Sequence, residues 1–221
     1  MDKQLLKQII LDNRKDVENY VVIPRKIYIP EFSCLVFVGV RRAGKSFLLY
    51  QKMQEMLRSG KTWDEMLYLN FEDERIDKFI VDDFNLILEC QAELSDKKPA
   101  LFLDEIQNVD GWEKFARRLA DKKYSVYITG SNAKMLSKDI MGKLGGRYLS
   151  VEVYPFSFQE YLDAENILYD SNSITATGGR AKIFRAYDDY FHWGGMPESI
   201  GLDVKRNYLG SAFQKIYLGD I

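Results

Sequence analysis

The feature that most constrains the fold is an eight-residue segment, Gly39 to Ser46, with the spacing Gly-x-x-x-x-Gly-Lys-Ser. It follows an apolar run, 33–40, that has the composition of a strand buried on both faces. It also leads into a stretch, 45–58, whose apolar residues recur at helical spacing. A strand, a glycine-containing turn and a helix start in this order can enclose a phosphate, because N–H groups at a helix N-terminus point at the anion. The sequence therefore predicts a phosphate-binding loop.

Apolar runs and helical periods alternate from about residue 33 to residue 165. The strand-like runs are 33–40, 66–71, 100–104, 124–129 and 148–154, and the helical stretches between and after them are 45–58, 82–94, 112–119, 135–144 and 158–162. Such alternation is typical of a parallel sheet covered by helices. We predict an α/β fold of the P-loop NTPase type, with a five-stranded, mainly parallel sheet flanked by helices and followed by the start of a helical lid.

The composition changes after residue 165. Residues 166–180 are polar and contain glycine, whereas 181–221 return to a helical pattern. We predict a nucleotide-binding core over 1–165, a linker loop over 166–180 and a helical lid segment over 181–221. Because the chain stops within an apolar helical pattern, we expect this lid to be truncated.

The loop residues have separable predicted roles. Lys45 is expected to contact the β- and γ-phosphate oxygens, and the Ser46 hydroxyl to ligate Mg²⁺. Arg41 and Arg42 either add positive charge near the nucleotide or point to solvent. The predicted nucleotide-binding residues are Gly39, Arg41, Arg42, Ala43, Gly44, Lys45, Ser46 and Phe47. The predicted ligand is a nucleoside triphosphate with Mg²⁺.

An acidic pair follows the third apolar run, at Asp104 and Glu105. The carboxyl end of a buried parallel strand lies at the edge where open α/β sheets bind ligands. We predict that Asp104 holds the magnesium shell and that Glu105 orients and polarises the attacking water. The alternative is a plain boundary between a strand and a turn.

Composition excludes several other classes. Lys and Arg total 31 against 33 Asp and Glu, so bulk charge does not favour nucleic acid or anionic membranes. The two cysteines and one histidine do not form a metal-ligand pattern, and Cys34 fits a small core residue better than a disulfide. The sequence has neither a membrane-length apolar run nor a signal peptide. We expect a cytoplasmic protein without a membrane partner.

Five segments, in order, resemble one protein family: GVRRAGKS, LFLDEIQNVDGWE, YITGSNAKML, GRYLSVEVYPFSFQEYL and FHWGGMPESI. They are similar to the ATP-binding domain of a bacterial and archaeal group of AAA-family ATPases. The first two are shared by many P-loop proteins, whereas PFSFQEYL and GGMPE are more specific to this group. The resemblance implies one strand between the strand of the acidic pair and that of the phosphate loop. It also implies a longer protein, with a C-terminal domain of unknown function after this N-terminal ATPase domain.

The same resemblance suggests further site residues. Ser131 and Asn132 match the position of a polar sensor near the γ-phosphate, although either could cap the following helix. Asn70 matches a residue that restrains the catalytic glutamate, or it is simply polar at a strand end. Arg147 resembles an arginine finger that acts on a neighbouring subunit, and the alternative is a solvated loop arginine.

Three functions remain open at this stage. The leading hypothesis is ATP hydrolysis that drives a conformational switch in attached domains or partners. Phosphotransfer to a small molecule is the main alternative, and a nucleic-acid-bound ATPase is the third. Partners consistent with the resemblance are a homo-oligomer formed through Arg147, and a DNA or protein partner bound through the missing C-terminal region.

Overall fold

The computed structural model of the protein describes residues 1–130 and 142–219. Five strands are present: β1 Cys34–Val38, β2 Met66–Asn70, β3 Ala100–Asp104, β4 Val126–Gly130 and β5 Leu149–Glu152. The α-helices discussed below are α1 Lys3–Asn19, α2 Lys45–Arg58, α3 Phe84–Leu94, α4 Trp112–Asp121, α5 Phe158–Ala164, α6 Ser171–Thr175, α7 Thr177–Trp193 and α8 Lys205–Gly219. Short 3₁₀ turns lie between several of these elements.

The five strands form one sheet in the order β2-β3-β4-β1-β5, and every pair is parallel. This confirms the predicted α/β sheet, with β4 lying between the strand of the acidic pair and that of the phosphate loop. Asn70 is in register with Asp104, and Val38 with Gly130. Because all strands run the same way, their carboxyl ends share one edge, where α/β sheets bind ligands.

Both faces of the sheet are buried at β1 and β3. Val36 and Val38 point to the face that packs in one core cluster with residues of α1, α3 and α4. Leu35 and Phe37, which point the other way, are also no more than 1% exposed. A strand covered on both faces needs apolar residues at successive positions, which explains the unbroken apolar run that precedes the loop.

The chain divides into two compact units. The first consists of Met1–Val22, Ile29–Gly39 and Lys45–Glu152. The second consists of Ile23–Tyr28, Val40–Gly44 and the described residues from Val153 onward. The predicted division at residue 165 into a core and a lid stays a prediction. The middle of the phosphate loop, Val40–Gly44, belongs to the second unit, whereas its two ends belong to the first.

The second unit corrects one prediction. Residues 166–180, expected to form a loop, contain α6 and the start of α7. The Asp170 side chain accepts a hydrogen bond from the backbone N–H of Ser173 (2.7 Å) and so caps α6. The small core of the second unit contains Tyr161, Leu162 and Ala186. Local capping therefore offsets the polar, glycine-containing composition on which the loop prediction rested.

The N-terminal helix α1 was not predicted. The Asp2 side chain caps it by accepting from the backbone N–H of Leu5 (2.8 Å), and Leu6, Ile9 and Ile10 are fully buried. The predicted helix over 135–144 and the sensor candidates lie wholly or mostly outside the described residues. Of the helices in the described part of the chain, none has both the length and the apolar character needed to cross a membrane.

Candidate functional site

The phosphate loop joins the end of β1 to the start of α2. Gly39 follows β1 directly, and a turn closes where the backbone N–H of Ala43 donates to the carbonyl of Val40 (3.2 Å). Gly44 has φ +92°, a left-handed conformation that a side chain makes costly. Lys45 then begins α2, so the motif places the N-terminus of a 14-residue helix directly after the loop. The unpaired N–H groups of such a terminus favour an anion.

Lys45 points its ammonium group into the first unit. The side chain is only 3% exposed. Its Nζ donates to the carbonyl of Gly39 (3.2 Å) and lies 3.9 Å from the Glu105 carboxylate. A cation is therefore held between the first residue of the loop and one member of the acidic pair.

The two loop arginines lie in the second unit. Arg41 is exposed. Arg42 has φ +65° and pairs with the Glu198 carboxylate at 3.2 Å, while its guanidinium lies 5.4 Å from the centre of the Tyr208 ring. The Tyr208 hydroxyl also donates to Glu198 (2.9 Å). The structure thus gives Arg42 a protein partner, and contact of either arginine with a nucleotide stays a prediction.

Asp104 ends β3 and is fully buried. One carboxylate oxygen accepts from the Thr129 hydroxyl, and the other accepts from the Tyr68 hydroxyl at 2.8 Å. Burial raises the pKa of Asp104 to about 6. The Thr129 hydrogen bond opposes this shift, the neighbouring charge of Glu105 adds to it, and the Ser46 and Tyr68 hydroxyls oppose it. The structure therefore brings together the two predicted metal ligands, Ser46 and Asp104.

Glu105 has a left-handed backbone, with φ +51°. Its N–H donates to the Thr129 hydroxyl (2.9 Å), so one threonine holds both members of the acidic pair. Its carboxylate accepts from the Gln107 amide and faces Lys45 across 3.9 Å. The side chain is 9% exposed. These contacts fix a carboxylate beside the cation of the phosphate loop.

Asn70 fits the simpler of its two interpretations. Its side-chain oxygen accepts from the backbone N–H of Glu72 (2.9 Å), a local turn at the end of β2. The residue that contacts the Glu105 carboxylate is Gln107, in the turn after the acidic pair. A role for Asn70 in restraining a catalytic glutamate stays a prediction.

Phe47 lies in the first turn of α2, and 42% of its surface is exposed. Its ring centre is 5.6 Å from that of Tyr20 and 5.2 Å from that of Tyr50. Tyr20, which follows α1, stacks on Tyr50 at 4.9 Å and is itself 44% exposed. An aromatic surface therefore lies next to Lys45 in the chain, and its use by a nucleotide stays a prediction.

Arg147 lies before β5 and pairs within its own unit. Its Nε is 2.6 Å from the Asp121 carboxylate, and its Nη1 donates to the carbonyl of Gly145 (3.2 Å). Its side chain is 33% exposed. The structure does not choose between a finger and a loop arginine. The sensor candidates Ser131 and Asn132 lie outside the described residues.

Sequence reasoning missed three residues that hold the acidic pair: Tyr68, Thr129 and Gln107. Their roles depend on strand order, since Tyr68 and Thr129 reach Asp104 from the two strands that flank β3. One available signal was Thr129 itself, a polar residue at the end of a buried strand. Polar groups at that level of a parallel sheet lie at the ligand-binding edge.

Comparisons with known proteins agree with this geometry. A family model described as an AAA domain matches residues 31–162. An uncharacterized protein of Methanocaldococcus jannaschii is 34% identical over 227 residues, which cover 100% of this chain and 50% of that protein. An uncharacterized protein of Haemophilus influenzae is 36% identical over 191 residues, which cover 84% of this chain and 45% of that protein. The chain spans about half the length of these curated relatives.

Two solved structures of Hsp104 share the fold. The closed state with ATPyS and FITC casein has a TM-score of 0.50 at 16% identity and covers 96% of this chain and 40% of that one. The Saccharomyces cerevisiae ADP complex has a TM-score of 0.50 at 15% identity and covers 95% of this chain and 32% of that one. Identities this low show the fold alone. The family match, which covers more than half of the chain, is the stronger finding and supports nucleotide binding and hydrolysis in general terms. Together with the loop and acidic-pair geometry, it shows that the chain belongs to the AAA domain family of P-loop ATPases.

Proposed function

We propose that this chain binds ATP with Mg²⁺ and hydrolyses it, and that hydrolysis drives a conformational switch in attached domains or partners. The observation that carries the proposal is the meeting of the loop cation and the acidic pair, with Lys45 Nζ 3.9 Å from the Glu105 carboxylate. Asp104, which is hydrogen-bonded to Ser46, ends β3 and directly precedes Glu105. Lys45 would then contact the phosphate, Asp104 the metal and Glu105 the water.

The residues present fit a magnesium ion. Ser46 and Asp104 offer a hydroxyl and a carboxylate, which are oxygen ligands of the kind Mg²⁺ prefers. Burial raises the pKa of Asp104 to about 6, so its negative charge is poorly compensated before a cation arrives. Among the described residues, no group of three or more His, Cys, Asp or Glu side chains is arranged so that it could hold a metal ion by itself. Mg²⁺ at phosphate sites commonly takes one or two protein ligands and completes its shell with water and phosphate.

The protein's own groups divide the chemistry. Lys45 and the N–H groups at the start of α2 bind the phosphate oxygens. When bound, Mg²⁺ neutralises charge on the phosphate oxygens. Glu105 orients a water molecule and accepts its proton, which its restraint by Gln107 and Thr129 favours because a fixed base needs less reorganisation.

Arg147 is proposed to act on the nucleotide of a neighbouring copy. An arginine finger stabilises charge in the transition state and contributes about 10³–10⁵ in rate when correctly placed. Its pairing with Asp121 within one chain would have to open for this role. A DNA or protein partner would be engaged through regions outside this chain, in a protein as long as its relatives. The cytoplasm is the proposed location.

The test is phosphate release from Mg·ATP by the purified chain, with and without small-molecule hydroxyl acceptors and with and without DNA. Release into water that needs no acceptor supports hydrolysis. Transfer of the γ-phosphate to an acceptor would replace hydrolysis with the phosphotransferase alternative. Stimulation by DNA would favour the nucleic-acid-bound class.

The finger has its own test. This chain alone should bind Mg·ATP as a monomer and hydrolyse it slowly, whereas in a protein as long as its relatives specific activity should rise with protein concentration. In that longer protein, Arg147→Ala should remove the rise while leaving ATP affinity nearly unchanged. Sedimentation, run alongside, shows whether the rise accompanies association. Brisk hydrolysis that does not depend on concentration would return Arg147 to a loop arginine paired with Asp121.

A further inference from the structure

Three segments of the second unit contain none of the predicted site residues. They are the stretch before β1 that contains Arg25, the PFSFQE segment that ends at Glu160, and the GGMPE segment that begins at Gly194. All three lie with Val40–Gly44, the middle of the phosphate loop, in one compact unit. The contacts within that unit show why they are grouped.

Arg25 is the centre of these contacts, and its side chain is only 2% exposed. Its Nε donates to the Glu160 carboxylate at 2.9 Å, and one terminal nitrogen donates to the carbonyl of Tyr154 at 2.7 Å. The other terminal nitrogen donates to the carbonyl of Ala43 at 2.9 Å. The guanidinium also lies 4.9 Å from the centre of the Phe156 ring. One planar cation therefore joins the PFSFQE segment to the phosphate loop.

Groups other than Arg25 also hold the Glu160 carboxylate in place. The carboxylate accepts from the backbone N–H groups of Lys26 and Ser157, both at 2.8 Å, and from the Ser157 hydroxyl at 3.0 Å. Ser157 and Glu160 form the capping box of α5. The direction of the Arg25 fork is therefore set by the start of a helix.

The loop leaves little space at this point. A Cβ atom on Gly44 would lie 3.2 Å from a terminal nitrogen of Arg25 and 3.7 Å from the Pro197 ring. The GGMPE segment is tied to PFSFQE by a hydrogen bond from the N–H of Phe156 to the carbonyl of Gly195 (2.7 Å). The segment that contains Arg25 and the GGMPE segment thus pack around the loop glycine.

We propose that Arg25 is a positioning residue for the phosphate loop. In a trans peptide the carbonyl and the following N–H point in opposite directions. By holding the carbonyl of Ala43, Arg25 directs the N–H of Gly44 away from itself and makes it available to an anion. Because Glu160 neutralises the guanidinium, the effect is one of orientation and not of added charge. Lysine cannot replace the planar fork, which makes three hydrogen bonds in fixed directions.

The inference rests on the proposed nucleotide binding and deepens it. Arg25→Lys keeps the charge but loses the fork, and the folded variant should bind Mg·ATP on the order of tenfold more weakly, the size of one lost charged hydrogen bond. The double variant Arg25→Gln with Glu160→Gln removes both charges together. It should melt at a higher temperature than Arg25→Gln alone and still bind weakly, because the contact with Ala43 is gone. Lys26→Met is the matched control, since the Lys26 side chain pairs with Asp163 and Tyr169, and its affinity should equal the parent's.

Calorimetric affinity is measured well below each melting temperature, so a purely structural role would leave it unchanged. Parent affinity in folded Arg25→Lys or in the double variant overturns the inference. If neither variant folds, Glu160→Asp is measured in their place. This variant keeps every charge, but its shorter side chain moves the carboxylate away from Arg25. ATP affinity equal to the parent's in Glu160→Asp would also overturn the inference. Lys45→Ala separates the two proposals, because full affinity in that variant would contradict nucleotide binding at the loop itself.

Discussion

Two buried carboxylates in this molecule differ in their neighbours: neutral hydroxyls surround Asp104, whereas Glu160 is paired with a cation. Asp104 in the first unit is surrounded by the hydroxyls of Thr129, Ser46 and Tyr68, and burial raises its pKa to about 6. The Glu160 carboxylate in the second unit is also subject to burial, which raises its pKa. There, hydrogen bonds from Arg25 and from backbone N–H groups outweigh burial, and the pKa ends below its ordinary value.

The difference separates the proposed metal site from a network in which the carboxylate already has a cationic partner. Neutral hydroxyls orient Asp104 but cannot neutralise it, which supports the proposal that it is a ligand of Mg²⁺. Glu160 already has its cation and its N–H donors, so it gives rigidity and no binding capacity. Changes to the first region should therefore affect chemistry more than stability, and changes to the second should affect stability first.

The largest effect is expected at Glu105. Glu105→Gln keeps the shape but removes the base, so turnover should fall about 10²–10⁴-fold while ATP affinity and the melting temperature stay close to the parent's. Phosphate release, calorimetric binding and thermal melting are measured on one preparation. Hydrolysis at the parent rate would make Glu105 a structural acid at a strand end and would break the comparison.

Glu160→Gln should act in the opposite way. It leaves the buried Arg25 guanidinium without its counter-charge, a change that typically costs roughly 3–5 kcal/mol of unfolding free energy. Denaturant unfolding of parent and variant gives the value. Asp163→Asn, at a partly exposed ion pair with Lys26, is the control and should cost less than about 1 kcal/mol. Equal losses in the two variants would contradict the view that the buried network is the rigid element.

Lys45→Ala is expected to have the next largest effect. A charge-assisted hydrogen bond to phosphate is worth about 1.5–3 kcal/mol, so ATP affinity should weaken by roughly tenfold to a hundredfold. Calorimetry on the folded variant measures it, with Lys61→Ala as a control at an exposed pair with Glu65. An unchanged dissociation constant would remove the phosphate-loop hypothesis.

The smallest effect is a pH dependence in the second unit. Since the folded pKa of Glu160 is depressed, its contribution is fully present above the unfolded value of about 4.3 and is lost as pH falls through the folded pKa. The stability difference between parent and Glu160→Gln should therefore shrink as pH is lowered from about 5. A difference that stays constant down to pH 3 would show that the pair does not set the pKa.

The sheet could be predicted because it is encoded locally. Buried parallel strands need unbroken apolar runs, and each of the five runs became a strand with its bounds shifted by a few residues. The helix α1 was missed although Asp2 caps it and its apolar residues recur at helical spacing. The error at 166–180 has a related cause, since a single cap at Asp170 outweighed composition.

The site was predictable only where a motif is contiguous. Lys45, Ser46 and the acidic pair each lie within one short segment, so spacing alone made them candidates. Tyr68 and Thr129 reach Asp104 from different strands, and no rule of local spacing joins them. Arg25 lies 18 residues before Ala43 and 135 before Glu160 along the chain, so its role could be recognised only from the fold.

The positive φ angles at Arg42 and Glu105 have a practical consequence for protein engineering. Among the described residues, four that are not glycine adopt such angles; Arg42 belongs to the phosphate-loop motif and Glu105 to the acidic pair. Each costs of order 1–3 kcal/mol, which glycine would recover. A laboratory selection for heat resistance alone would therefore enrich glycine wherever this gain exceeds the loss of side-chain contacts, with Glu198 at Arg42 and with Lys45 and Gln107 at Glu105. At Glu105, that enrichment would eliminate the proposed base, so thermostability screens on this chain should score turnover in the same round.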